Sequence, residues 1–362
     1  MWPSGEAGDQ RGPVLRFESG HCPHEERMVN EVHARTTLST SSWTLATSVV
    51  DERVSWRTRS ARHARRRRRG RMAAVAVVVL ALVTGVALRG RVLRAAGVGS
   101  NTGFYLVVGA SSSLGFQPTG IPHHNGARTN RGYANDLLAI EAAKGVHLTM
   151  RQVGCPGETV VSMLGAGDHC YTLPNRQMLT ATAFLRANAT ATGLVTIDLG
   201  FNDVRPCLTT PLVEVACAES GLAGVRADMP AVLRELRAAA GPHVHFVGLL
   251  YGDPFLADYL RRESSPAQAA LTLRVMSELN ATLAAAYAAQ NIPSANVPGA
   301  FESDNQTPTR LPDGRAVPTN VARACELTWM CHTYPWGPDD HPDDAGYRVI
   351  ASAIAQKLPS TW

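Results

Sequence analysis

Several short apolar runs, each ending at a glycine and spaced by Ala-rich stretches, constrain this chain more than anything else in it. "FYLVVG" (Phe104–Gly109) is the first, followed by Val146–Gly154, Gly193–Gly200 and His243–Gly252, with a weaker fifth at Ile292–Val297. An apolar run too short for a helix and without alternation fits a strand buried on both faces. The intervening segments Asn175–Ala189, Ala227–Gly241, Pro266–Gln290 and Asp343–Leu358 carry helical patterning. The second ends at a glycine stop, and the third opens after Ser264 and Ser265, which suit a helix cap. Strand and helix alternating at this spacing predict a three-layer α/β/α domain with a parallel central sheet. The stretch Asn305–Asn320 reads as a long surface loop.

The residues before the first strand have a different character. Residues 1–71 carry a net charge of +6, whereas the rest of the chain carries −1, so the overall +5 belongs to an N-terminal arm. The remainder advertises no basic face, which argues against a nucleic-acid partner. The arm ends in "RHARRRRRGR" (Arg62–Arg71), followed at once by the uncharged apolar segment Met72–Leu88. Roughly 17 apolar residues are the lower limit for a membrane span, and flanking arginines place that flank inside. The expected organisation is a basic arm (1–71), a transmembrane or signal helix (72–88), a linker (89–102) and the α/β domain (103–362). No A-x-A cleavage site follows Leu88, which favours a retained signal anchor over a cleaved signal peptide. The domain is then extracytoplasmic and held to a membrane through residues 72–88.

Cysteine usage agrees with export. Apart from Cys22, the cysteines fall into three close pairs, Cys155/Cys170, Cys207/Cys217 and Cys325/Cys331. Six cysteines allow about 15 connectivities, and short-range pairing is the simplest. Neither CxxC nor HxxxH spacing occurs, so the pattern points away from zinc.

In a parallel α/β sheet, ligands bind outside the carboxyl ends of the strands. "GASSSLG" follows the first strand, "GCPGET" the second and "GFND" the third, while "GPDDHPDDAGY" precedes the last helix. Together they supply a hydroxyl, a glycine N–H, an amide side chain and an imidazole. That is the inventory of acyl transfer. A serine oxygen needs a base to take its proton, histidine has a suitable pKa, and the tetrahedral intermediate needs N–H donors for its oxyanion.

These four blocks, in this order across Phe104–Leu358, resemble those of the SGNH or GDSL hydrolases. The resemblance implies Ser111 as nucleophile and His341 as general base. It further implies an oxyanion hole made of the Ser111 N–H, the Gly157 N–H and the Asn202 amide. The three cysteine pairs also look like those of secreted bacterial members. Two positions depart from the family pattern. Ala110 stands where the family carries aspartate. Pro338 occupies the usual place of the orienting acid, three residues before the histidine. Asp339 or Asp340, two and one residues before the histidine, turns in to hold His341, or the Pro338 main-chain carbonyl does so.

The expected activity is hydrolysis of carboxylic esters of small molecules, lipids or acylated glycans by a monomer, without metal or organic cofactor. Two alternatives share the scaffold: acyl transfer to or deacetylation of a cell-envelope glycan or lipid, and a catalytically silent surface binding protein. The "YPWG" stretch (Tyr334–Gly337) suits either an aromatic turn or an acyl-pocket wall, and Asp203 suits a helix cap.

Overall fold

A computed structural model describes residues 102–124, 126–165, 176–209, 212–260 and 266–360. In chain order the strands and helices are β1 (Thr102–Gly109), α1 (Tyr133–Ala143), β2 (His147–Gln152), α2 (Val160–Met163), α3 (Arg176–Ala187) and β3 (Gly193–Asp198). Next come α4 (Phe201–Val204), α5 (Val215–Ala239), β4 (Val244–Leu249), α6 (Pro266–Ala289) and β5 (Ser294–Ala295). The last are α7 (Val297–Ala300), β6 (Pro308–Arg310), β7 (Ala316–Pro318), α8 (Thr319–Leu327) and α9 (Asp344–Ala355).

All five expected strands pair in one parallel sheet, in the order β2-β1-β3-β4-β5. The pleat sends alternate residues of β1 to opposite faces. Phe104, Leu106 and Val108 join the core beneath α3, α5 and α6, while Tyr105 and Val107 join the one beneath α1, α7 and α9. This double burial explains why the central strands read as unbroken apolar runs. The edge strand β2 shows exposed and half-buried residues in alternation.

Two expectations need correction. The helix expected from Ala227 begins twelve residues earlier, at Val215, and runs through Pro230. Gly221 and Gly224 weaken the local helix propensity, but Ala218, Leu222, Val225 and Met229 form a buried stripe continuous with the later turns. Gly221 has its own purpose: a Cβ there would lie 2.1 Å from the Asp203 carbonyl oxygen, so only glycine lets α5 approach α4 this closely. The supposed loop Asn305–Asn320 contains the antiparallel β6/β7 hairpin and the start of α8. Its turn is "PDG", with Gly314 at φ +86°, a hairpin signal of the Asp-Gly type.

The segment 72–88, the basic arm and the serines before α6 lie outside the described residues. Among the described residues, no helix is long and apolar enough to cross a membrane. Disulfides join Cys207 to Cys217 and Cys325 to Cys331. Cys155 is also disulfide-bonded, and Cys170, its expected partner, lies outside the described residues.

Candidate active site

The serine-rich turn begins where β1 ends. Gly109 lies opposite Asp198 in the parallel register, and a Cβ on it would fall 2.6 Å from the Asp198 carbonyl oxygen. Ala110 then donates its N–H to that same oxygen at 3.0 Å. Residues Ser112–Leu114 form one 3-10 turn closed by Gly115 in the left-handed conformation. The Ser111 carbonyl accepts from the Leu114 and Phe116 N–H groups, at 3.0 and 3.2 Å. The three serines divide their work. Ser113 is fully buried and donates to the Ala110 carbonyl at 2.5 Å, whereas Ser111 is half-buried and lines a cavity.

The loop before α9 supplies the histidine. Asp343 caps α9 by accepting from the Ala345 and Gly346 N–H groups, both at 2.8 Å. The Trp329 N–H bonds to the His341 carbonyl at 3.1 Å, which ties this loop to the segment after α8. His341 Nε2 lies 2.8 Å from Ser111 Oγ. Its Nδ1 lies 2.7 Å from Asp339 Oδ1, which also accepts the His341 backbone N–H at 2.9 Å. The side chain reaching Nδ1 is therefore Asp339, two residues before the histidine, and not the Pro338 carbonyl.

Electrostatics follow from this geometry. Burial opposes the imidazolium, but the Asp339 hydrogen bond and charge, with Asp340 nearby, outweigh it and raise the His341 pKa above its ordinary value. Burial pushes the Asp339 carboxyl the other way, yet its bonds to His341 leave it below the ordinary carboxylate range. Asp339, Asp340 and His341 lie close enough together to share a cation. However, Nδ1 faces Asp339, Nε2 faces a serine hydroxyl and Asp340 is held by Arg205, an arrangement suited to moving a proton.

The other blocks converge on the same edge. Asn202 lies on α4 and lines the cavity with Ser111. Its amide donates to the Glu158 carbonyl at 3.0 Å, joining the third block to the second. Asp203 accepts the Val160 N–H at 3.0 Å, so it binds the first turn of α2, whose N-cap is Thr159, and burial lifts its pKa to about 7. Gly157 occupies an exposed turn at φ +82°, a conformation that favours glycine although space is open around it.

A buried polar chain beneath these motifs carried no sequence signal. The Gly109 N–H donates to Gln177 Oε1 at 2.8 Å, Gln177 Nε2 donates to Glu158 Oε2 at 2.8 Å, and Ser162 Oγ donates to Glu158 Oε1 at 2.6 Å. It locks the end of β1 to the "GCPGET" turn. Asp198, 2% exposed, accepts from the Tyr251 hydroxyl at 2.8 Å, and burial lifts its pKa to about 6. Gln177 and Tyr251 sit in ordinary helical and post-strand contexts, where nothing marks them as special.

The cavity beside Ser111 has a volume of about 60 Å³. Its walls are mostly apolar, including Phe201, Leu249, Val297, Phe301, Pro342 and Ile350. Tyr334 and Trp336 are not among the lining residues. They stand 63% and 44% exposed in an aromatic turn, with Trp336 stacked on Trp329 at 5.7 Å.

A three-layer α/β domain with serine, histidine and aspartate hydrogen-bonded in series at the carboxyl edge of its sheet has the framework of the ester-cleaving serine hydrolases. Residues 107–349 match the model of the GDSL-like lipase/acylhydrolase family, and the chain belongs to that family. Solved structures to which this chain is similar include phospholipase A1 from Streptomyces albidoflavus. It is 18% identical, with 71% of this chain and 99% of that one covered and a TM-score of 0.48. An extracellular lipase from Streptomyces rimosus is 20% identical over 71% of this chain and 100% of that one, with a TM-score of 0.46. The acetylxylan esterase Axe2 from Geobacillus stearothermophilus is 15% identical over 72% and 96%, with a TM-score of 0.42. No curated protein matches the sequence.

Proposed function

We propose that this protein hydrolyses carboxylic esters through an acyl-enzyme on Ser111. The observation that carries this reading is the hydrogen-bonded series Ser111 Oγ, His341 Nε2, His341 Nδ1 and Asp339 Oδ1, with links of 2.8 and 2.7 Å, opening onto an apolar cavity. His341 takes the Ser111 proton as the oxygen attacks the ester carbonyl, and Asp339 holds the ring in the productive tautomer and balances the imidazolium. The Ser111 and Gly157 N–H groups and the Asn202 amide receive the oxyanion. His341 then protonates the leaving alcohol, and water activated by the same imidazole releases the acid.

The cavity supports a short apolar acyl group. Its mostly apolar walls beside Ser111 offer such a group a matching surface. The disulfides support an oxidising, extracytoplasmic location, and the arginine-flanked segment 72–88 supports tethering by a single helix. The deciding experiment treats the full-length protein with a fluorophosphonate probe, maps the modified residue and measures turnover of p-nitrophenyl esters of increasing chain length. Labelling at Ser111, and loss of turnover in Ser111→Ala and His341→Ala, is the expected result. A folded, disulfide-bonded protein with neither labelling nor turnover would favour the silent binding protein.

A further inference from the structure

His341 is preceded by one carboxylate too many. Asp340 is only 6% exposed, and its Oδ1 lies 3.8 Å from His341 Nδ1, close enough to compete with Asp339 for the ring. It does not compete, because both its oxygens are already engaged. Arg205 donates through Nε to Oδ2 and through Nη2 to Oδ1, the latter at 3.2 Å. This two-pronged pairing is the geometry guanidinium makes best and a lysine cannot reproduce. Arg205 begins the 3-10 turn Arg205–Cys207, which directly follows α4 and is bound to α5 by the Cys207–Cys217 disulfide. The turn that directly follows the helix carrying Asn202 therefore carries the clamp on the histidine loop.

We propose that Arg205 is a positioning residue for the ester hydrolysis: by holding and neutralising Asp340 it leaves Asp339 as the sole partner of His341 Nδ1. This rests on the catalytic reading above. Two consequences follow. Geometrically, His341 cannot rotate toward Asp340 and lose Ser111. Electrostatically, the imidazole senses one net carboxylate rather than two. Two uncompensated carboxylates would hold it as imidazolium far into the neutral range, and an imidazolium cannot accept the serine proton. The charged and titratable groups around His341 are Asp339 and Asp340 on its own loop, Arg205, Asp198 at the end of β3, and Tyr347 on α9, which senses both Asp339 and Asp340. Of these, Arg205 is the one cation, and its charge lowers the His341 pKa against the two carboxylates.

The test is the pH dependence of kcat/KM for a soluble short-chain ester, measured on the full-length protein and on Arg205→Gln, Arg205→Lys, Asp340→Asn and the double variant Arg205→Gln/Asp340→Asn. In Arg205→Gln the acid limb should move to higher pH by about one unit, the size of effect an opposite charge within a few ångströms exerts. In Asp340→Asn it should move to lower pH, because the guanidinium is left unbalanced. The double variant removes one charge of each sign and should return toward the parent profile, and Arg205→Lys should fall between the parent and Arg205→Gln. A purely structural clamp predicts otherwise: both single variants lose activity without displacing the limb, and the double variant is no better than the worse single. That pattern, or single variants moving in the same direction, would overturn the proposal. Arg205→Lys and Asp340→Asn keep the test open if Arg205→Gln does not fold. Failure of the parent protein to label at Ser111 would count against the hydrolase reading itself and not against Arg205.

Discussion

Replacing Asp339 with asparagine tests the centre of the site. Asp339 Oδ1 accepts from the His341 ring at 2.7 Å and from the His341 backbone at 2.9 Å, with its side chain 22% exposed. Coulomb's law at an effective dielectric of 20 gives about 6 kcal/mol for charges this close. That figure ignores the cost of removing both groups from water, so it overstates the benefit. A hydrogen bond to a charged group contributes about 1.5–3 kcal/mol net, and an asparagine oxygen can keep the bond while losing the charge. The expected loss in kcat/KM at pH 8 is therefore about 10- to 150-fold. The sign of the pH effect follows from the site. Asp339 raises the His341 pKa against burial, so its removal lowers that pKa, and the acid limb moves to lower pH. A loss nearer 10⁴-fold would mean that the amide turns its NH₂ toward the ring and enforces the wrong tautomer. Asp339→Ala separates these cases, because it removes the charge without adding a donor. The assay is p-nitrophenyl ester turnover between pH 5 and 9. Full activity in both variants, with an unmoved acid limb, would refute the role of Asp339 and return the orienting function to the Pro338 carbonyl.

The remaining predictions concern stability and specificity. Asp253 is 2% exposed and burial lifts its carboxyl to about 7; the folded state thus holds this proton more tightly than the unfolded chain. Stability falls as pH rises from about 4 through 7, so Asp253→Asn should raise the melting temperature at pH 8 by several degrees and much less at pH 5, as thermal melts at the two pH values will tell. Cys207 and Cys217 close a loop with a sequence separation of 10; chain entropy values that closure at about 3 kcal/mol, and denaturant titration of Cys207→Ser/Cys217→Ser should lose about that much. Phe301 walls the cavity beside Ser111. Phe301→Ala should shift the optimum of the ester panel to longer acyl chains and change the long-to-short ratio of kcat/KM by about tenfold or more; an unchanged ratio would remove Phe301 from the acyl pocket.

The sheet was legible because burial leaves a strong local signature. β1 faces a core on both sides, so its residues are apolar without alternation, and glycines mark where each strand must turn. The helix α5 was legible only in its second half. Its first half depends on Gly221, whose helical role is set by the distance to Asp203, and no local pattern encodes that distance. The hairpin Pro308–Pro318 was missed for a related reason: strands of three residues carry too few positions for alternation to register, and only Asp313-Gly314 marks the turn.

For the site, the legible part and the hidden part differ in kind. Ser111, Asn202 and His341 stand at ends of elements, where local sequence and family pattern both act. Their supports reach across the fold. Gln177 touches the Gly109 N–H from 68 residues away, and Arg205 reaches Asp340 across 135. Neither partner constrains its own neighbours in sequence, so neither leaves a pattern. Asp340 illustrates the consequence. Its position beside the histidine makes it as good a candidate for the orienting acid as Asp339, and local spacing cannot choose between them. The structure separates them through a guanidinium contributed by another element. The identity of the acid in the series is thus a tertiary property, written in which carboxylate finds a cation and which finds the ring.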